Sequence, residues 1–177
     1  DGRYEAFGTA RARSALDGFL PNHMIEQVSF GVEATSLESV TSVLDMVAPD
    51  VVVNCVGVIK QAPSVQVAVS TIQVNSLFPH QLLELCLLRG MRLIHVSTDC
   101  VFSGEGGNYR ETDRPDPVDL YGRSKLLGEI SGESALTLRT SVVGRELREH
   151  LSLIDWFLSQ TGTVAGYRKA IYSGLTT

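Results

Sequence analysis

The sequence predicts an α/β fold in one domain, a parallel sheet with helices on both sides. Strand-like and helix-like apolar segments alternate along its 177 residues, the order that builds parallel sheets. The run 51–56, Val-Val-Val-Asn-Cys-Val, is continuously apolar apart from one Asn, as in strands buried on both faces. A composition of 44% hydrophobic and 20% charged residues is that of a globular chain with one sizeable core.

The elements follow in order. Residues 4–10 read as a short strand and 24–30 as a second. Ser36-Leu37-Glu38-Ser39 offers a helix start, with Val40, Val43, Leu44 and Val47 at helical spacing and Pro49-Asp50 as its stop. After the strand 51–56, residues 77–88 have a helical pattern that ends at Gly90, with Pro79 in the first turn, where a missing N–H does no harm. Residues 92–97 form the next strand, and a loop rich in Gly, Pro and Asp runs from 103 to 117. Helical spacing resumes over 121–130, 136–138 is a short strand, and 151–158 is a helix with Trp156 facing the core. Parallel sheets place binding sites beyond the carboxyl ends of their strands.

Net charge is −5, and no block of Lys and Arg occurs, so neither nucleic acid nor an anionic membrane is an expected partner. No apolar stretch approaches membrane-spanning length and no signal peptide is recognisable. The cysteines Cys55, Cys86 and Cys100 lie in apolar runs without paired zinc spacing, and read as reduced, buried residues of a cytoplasmic protein. The acidic residues of 105–119 are too scattered for a metal site, so none is expected. His80 and His150 read as helix-surface residues, His95 as a satisfied core histidine and Lys60 as a solvated lysine.

The chemistry lies in Val96-Ser97-Thr98-Asp99 and Tyr121-Gly122-Arg123-Ser124-Lys125. On one helix Tyr121 and Lys125 are i and i+4 and share a face. An ammonium beside a phenol favours the phenolate, so the tyrosine can exchange a proton with a carbonyl oxygen or alcohol near neutral pH. Thr98, at a strand end, can hydrogen-bond the same oxygen. Ser97 is the alternative, since one residue of register separates them.

Together with Val101-Phe102, Gly104, Glu111-Thr112-Asp113, Pro115, Pro117 and Leu126-x-Gly128-Glu129, these segments resemble the extended short-chain dehydrogenase/reductases, most closely the dTDP-4-dehydrorhamnose reductase branch. The resemblance covers roughly residues 48–144. It implies a Rossmann-like, doubly wound parallel sheet and reduction of a nucleotide-linked 4-keto-6-deoxy sugar. Tyr121 is then the proton donor, Lys125 the holder of the nicotinamide ribose, and Thr98 the third member of the triad. Asn54, Cys55, Val56 and Gly57 match the segment whose backbone lies along the cofactor. Thr140 and Ser141 border the nicotinamide, and Asn75 is structural. A nucleotide sugar is the implied substrate, and a homodimer is one assembly the resemblance allows.

An acidic residue after the second strand of such a fold selects NAD. Here Arg11 and Arg13 follow residues 4–10 with no acid, and an arginine can pair with the 2′-phosphate of NADP, so NADPH is favoured over NADH.

None of the 16 glycines forms the dinucleotide-binding turn. If residues 4–10 are the second strand, the first strand and its glycine turn precede Asp1. The chain is therefore expected to be part of a longer enzyme: one partial cofactor-binding domain over 1–177, with a substrate region that begins near 145 and is cut short. Two alternatives remain. One is an epimerase or dehydratase of the same fold, although the acidic pair usual in dehydratases is reduced to Asp99. The other is a non-catalytic NADP-binding subunit like the regulatory β subunit of methionine adenosyltransferase, which resembles the same reductases.

Overall fold

The computed structural model describes residues 3–16, 18–59, 65–145, 152–166, 168 and 175–176. Its chain forms two compact units, Asp1–Leu138 and Arg139–Thr177.

The first unit opens with β1 (Gly8–Ala10), α1 (Asn22–Ile25) and β2 (Val28–Phe30), and the two strands pair in parallel. Both strands are shorter than their sequence pattern suggests. The register begins at Gly8↔Val28, and α1 ends at Ile25 just before it, so among the described residues no strand pairs with 4–7. Tyr4 is accordingly 88% exposed.

Helix α2 (Leu37–Val47) starts at the expected cap: the Ser36 hydroxyl accepts from the Ser39 N–H, and Ser39 Oγ donates to the Ser36 carbonyl at 2.8 Å. It ends at Ala48, in the left-handed conformation at φ 46°. Strand β3 (Val51–Asn54) follows, then α3 (Val65–Thr71), a π-helical turn Ile72–Leu77, and α4 (Phe78–Leu87). The helix thus begins well before residue 77. Pro79 explains the widened turn, because it has no N–H to offer the Asn75 carbonyl in an α-helical register.

Strands β4 (Arg92–Val96) and β5 (Ala135–Leu138) complete a parallel sheet in the order β3-β4-β5, with α5 (Leu120–Leu127) between them in sequence. The core lies on one face of this sheet, where Val40, Leu44, Phe78, Leu82, Cys86 and Leu93 pack together. Each fully buried aliphatic side chain there contributes about 1.5–3 kcal/mol. The opposite face carries exposed apolar side chains. Val53 is 57% and Leu136 52% exposed, one on either side of Ile94 in the pairing register. Burial of residues 51–56 on both faces is therefore not what the structure shows: the strand stops at Asn54, and Cys55 beyond it is exposed rather than buried. Cys86 is buried, and all three thiols are free.

In the second unit, β6 (Val142–Val143) pairs in parallel with β7 (Leu175–Thr176), and α6 (Leu153–Leu158) is capped by Ser152. Trp156, expected in the core, is 45% exposed. The helix buries Asp155 instead, where Ser152 Oγ and Arg145 Nε donate to its carboxylate. Lys60 and His150 lie outside the described residues. Among those described, no helix is long and apolar enough to cross a membrane.

Candidate active site

The site gathers at the carboxyl ends of β3 and β4. Register places Asn54 beside His95, and the chain leaves β4 through Ser97 and Thr98, both buried. Helix α5 is aimed at this edge by its cap, in which the Asp119 carboxylate accepts the Gly122 N–H at 2.8 Å. Two glycines let it approach. A Cβ on Gly122 would overlap the Cys100 carbonyl oxygen, and one on Gly128 would overlap the Asn75 carbonyl oxygen. The helix therefore buries the polar residues Ser124 and Lys125 as well as Gly122.

Lys125 is the centre of the arrangement. Its Nζ donates to the Val96 carbonyl at 2.7 Å and stands 3.5 Å from His95 Nε2. Burial lowers its pKa to about 8, against the opposing pull of Glu129 and Cys55. Tyr121 lies one turn earlier on the same helix, as the i,i+4 spacing requires. The buried His95 ring is held neutral: desolvation, then the Lys125 charge, push its pKa down to about 4. It is a satisfied core histidine as expected, but one of its contacts is the candidate catalytic lysine.

The segment after β3 is held from two sides. Asn54 Oδ1 accepts the Val56 N–H at 3.1 Å, while Asn75 accepts from the Val58 N–H at 2.8 Å and donates to its carbonyl at 2.9 Å. Asn75 also donates to Ser124 Oγ at 3.1 Å, so the π-helical turn binds this segment to α5. A Cβ at Gly57 would stand 3.5 Å from Asn75 Oδ1 and 3.9 Å from Lys125 Nζ. Glycine there keeps the space beside the amine clear.

The two hydroxyls at the end of β4 differ. Ser97 Oγ donates to the Glu129 carboxylate at 2.9 Å. Thr98 Oγ1 accepts the Cys100 N–H at 3.2 Å and so caps a short 3-10 turn, Asp99–Val101. Arg11 and Arg13 follow β1 and are exposed, and the Arg13 guanidinium lies 5.9 Å from the Phe30 ring centre. Thr140 and Ser141 belong to the second unit, where Thr140 Oγ1 donates to the Ser141 carbonyl. The structure thus joins Asn54, Gly57 and Lys125 around His95 and Asn75, while Ser97 is bound to Glu129, just beyond the end of the helix that carries Lys125. The links through His95, Asn75 and Glu129 were not part of the sequence-predicted site. Their signal was faint: single polar residues at i and i+4 from better-marked positions or within apolar runs. Among the described residues, no cluster of His, Cys, Asp or Glu could hold a metal ion.

The chain is also similar to known proteins. The family described as the RmlD substrate binding domain matches residues 15–154. A probable low-salt glycan biosynthesis reductase, Agl14, of Haloferax volcanii is 40% identical over 122 residues, which cover 63% of this chain and 39% of that protein. The dTDP-4-dehydrorhamnose reductase of Mycobacterium tuberculosis is 40% identical over 85 residues, 45% of this chain and 28% of that one. The chain therefore spans well under half the length of these relatives. The structure of dTDP-4-dehydrorhamnose reductase from Bacillus anthracis in complex with NADP superimposes with a TM-score of 0.61 over 81% of this chain and 56% of that one, at 21% identity, a likeness of fold. Matched over most of its length, the chain belongs to the RmlD substrate binding domain family, in line with the resemblance its motifs carry.

Proposed function

We propose that the protein carrying this chain is an NADPH-dependent reductase of a nucleotide-linked 4-keto-6-deoxy sugar, of the dTDP-4-dehydrorhamnose type. One observation carries the reading: Lys125, buried and one helical turn from Tyr121, is anchored on the Val96 carbonyl beside the side-chain-free position Gly57. We assign the nicotinamide ribose to this edge, where Gly57 places no side chain beside Lys125. Lys125 and the backbone of Asn54, Cys55, Val56 and Gly57 would hold it, with Thr140 and Ser141 at the nicotinamide and Arg11 and Arg13 toward a 2′-phosphate. The relatives named as reductases, and the NADP bound by the Bacillus anthracis reductase, support the cofactor and the substrate class.

When bound, the cofactor supplies the hydride that adds to the carbonyl carbon. Tyr121 gives its hydroxyl proton to the carbonyl oxygen as that oxygen gains charge, and is left as a phenolate. The Lys125 ammonium stabilises that phenolate, which is the physical reason a buried cation sits one turn away. Thr98, its hydroxyl turned away from Asp99 Oδ1, or Ser97 turned away from Glu129, donates a hydrogen bond that holds the carbonyl oxygen. Tyr121 then recovers its proton from solvent. The substrate-binding region begins near residue 145, and the protein works in the cytoplasm, with a homodimer as one assembly open to it.

The test is NADPH oxidation by the purified protein, dependent on dTDP-4-dehydrorhamnose. Tyr121→Phe should lower kcat by at least ~100-fold, the range of a lost general acid. A variant as active as the parent would refute the role of Tyr121.

A further inference from the structure

The Asn54–His95–Lys125 contacts carry a consequence for where the protons sit. Asn54 Oδ1 is committed to the Val56 N–H at 3.1 Å, so the amide nitrogen Nδ2 is the atom that faces His95 Nδ1 at 3.1 Å. That nitrogen donates, and Nδ1 therefore accepts. A neutral imidazole carries one proton, which must then be on Nε2. Nε2 faces Lys125 Nζ at 3.5 Å. An N–H pointing at an ammonium sets donor against donor, whereas an amine offers it a lone pair.

We propose that Asn54 and His95 are positioning residues for Lys125: the Asn54 amide locks the neutral His95 ring as its Nε2–H tautomer, and that N–H favours the amine form of the lysine over the ammonium. Its meaning for catalysis rests on the function proposed above; its proton placement does not. The opposite tautomer would let Nε2 accept from the ammonium, but needs an acceptor at Nδ1. Turning the Asn54 amide over would supply one and set its NH2 against the Val56 N–H, so the lock costs a backbone hydrogen bond to undo.

Other groups act on the pair from every side. Tyr121 shares α5 with Lys125, Glu129 follows just beyond the end of that helix, Cys55 faces the lysine from beyond the end of β3, and His80 on α4 bears on His95. Glu129 and Cys55 favour the ammonium, and burial with the His95 tautomer opposes them. The balance leaves Lys125 charged at neutral pH but near its titration. It can support the Tyr121 phenolate below about pH 8 and loses that capacity above it.

The test is nitrogen NMR on protein labelled at histidine and lysine, without cofactor or substrate. In the wild type His95 should show an unprotonated Nδ1 and a protonated Nε2, unchanged from pH 8 down to 5. Asn54→Ala frees Nδ1 to carry the proton, so the Nδ1–H form should appear and the Lys125 Nζ midpoint should rise by about one pH unit. If Asn54→Ala does not fold, Asn54→Asp serves: its carboxylate accepts from Nδ1–H, so the tautomer should switch completely. A wild-type His95 protonated at Nδ1, or a tautomer unmoved in the folded variant, overturns the proposal. So does a Lys125 midpoint that stays put while the tautomer changes. Because these readings involve no turnover, they stand or fall separately from reductase activity, which the NADPH oxidation assay tests.

Discussion

Lys125 donates through Nζ to the carbonyl oxygen of Val96 at 2.7 Å, so the helix carrying Tyr121 is fastened to the last residue of the central strand of the three-stranded sheet. With the close approach at Gly122 and Gly128, this bond holds Tyr121 and Lys125 against the strand end that carries Thr98.

The rate of carbonyl reduction should fall as pH rises through about 8, where Lys125 loses the charge that stabilises the Tyr121 phenolate. A kcat–pH profile measures it. Asn54→Ala should carry this limb to higher pH, parallel to the Lys125 midpoint. A profile flat from pH 7 to 10 would separate Lys125 from the chemistry.

Stability should depend on acid through His95. In the unfolded chain its imidazole takes a proton below 6.5, and in the fold only near about 4, so between these values the unfolded state binds more protons. Stability is thus intact above pH 6.5 and falls as pH drops toward 4, by no more than about 3 kcal/mol. Lys125 has the same sign in another window, its burial penalty being relieved as pH rises from about 8 to 10.5. Urea unfolding midpoints across pH 4–7 check the first limb, and His95→Gln should flatten it.

Gly122→Ala should destabilise the protein although alanine is the better helix former. The added Cβ overlaps the Cys100 carbonyl oxygen, which is backbone and cannot swing away, so a loss of about 1–3 kcal/mol is expected. Thermal unfolding of the variant measures it; a gain in stability would show that α5 can shift outward freely.

The strands β3 and β4, the cap of α2 and the Tyr121–Lys125 face were legible because each is a local pattern: an apolar run, a Ser three residues before its partner, a four-residue spacing. The ends of β1 and β3 were not, since a strand ends where its pairing ends, and the pairs Gly8↔Val28 and Asn54↔His95 mark those limits rather than composition. Trp156 was read as buried from its helical spacing and Cys55 from its apolar run, but burial depends on what packs above, and both are exposed. The π-helical turn was encoded in Pro79, though only the structure shows that the disturbed helix brings Asn75 to Val58 and Ser124. His95 was legible as a buried, satisfied residue. That its partners are Asn54 and Lys125 is a fact of register across β3 and β4 and of the approach of α5.

Arg11→Ala and Arg13→Ala together should weaken NADPH binding about tenfold or more and leave NADH binding nearly unchanged, as expected for lost pairing with a phosphate. Parallel titrations with the two cofactors decide it. Equal weakening of both would place these arginines away from the 2′-position.

The central claim is that the edge formed by Asn54–Gly57 and Lys125 receives a reduced nicotinamide cofactor. Fluorescence titration of the purified protein with NADPH, beside the same titration of Lys125→Ala, tests it most directly. Saturable NADPH binding that the variant weakens at least ~10-fold is the predicted result. No binding by the wild type, or equal binding by both proteins, would contradict it.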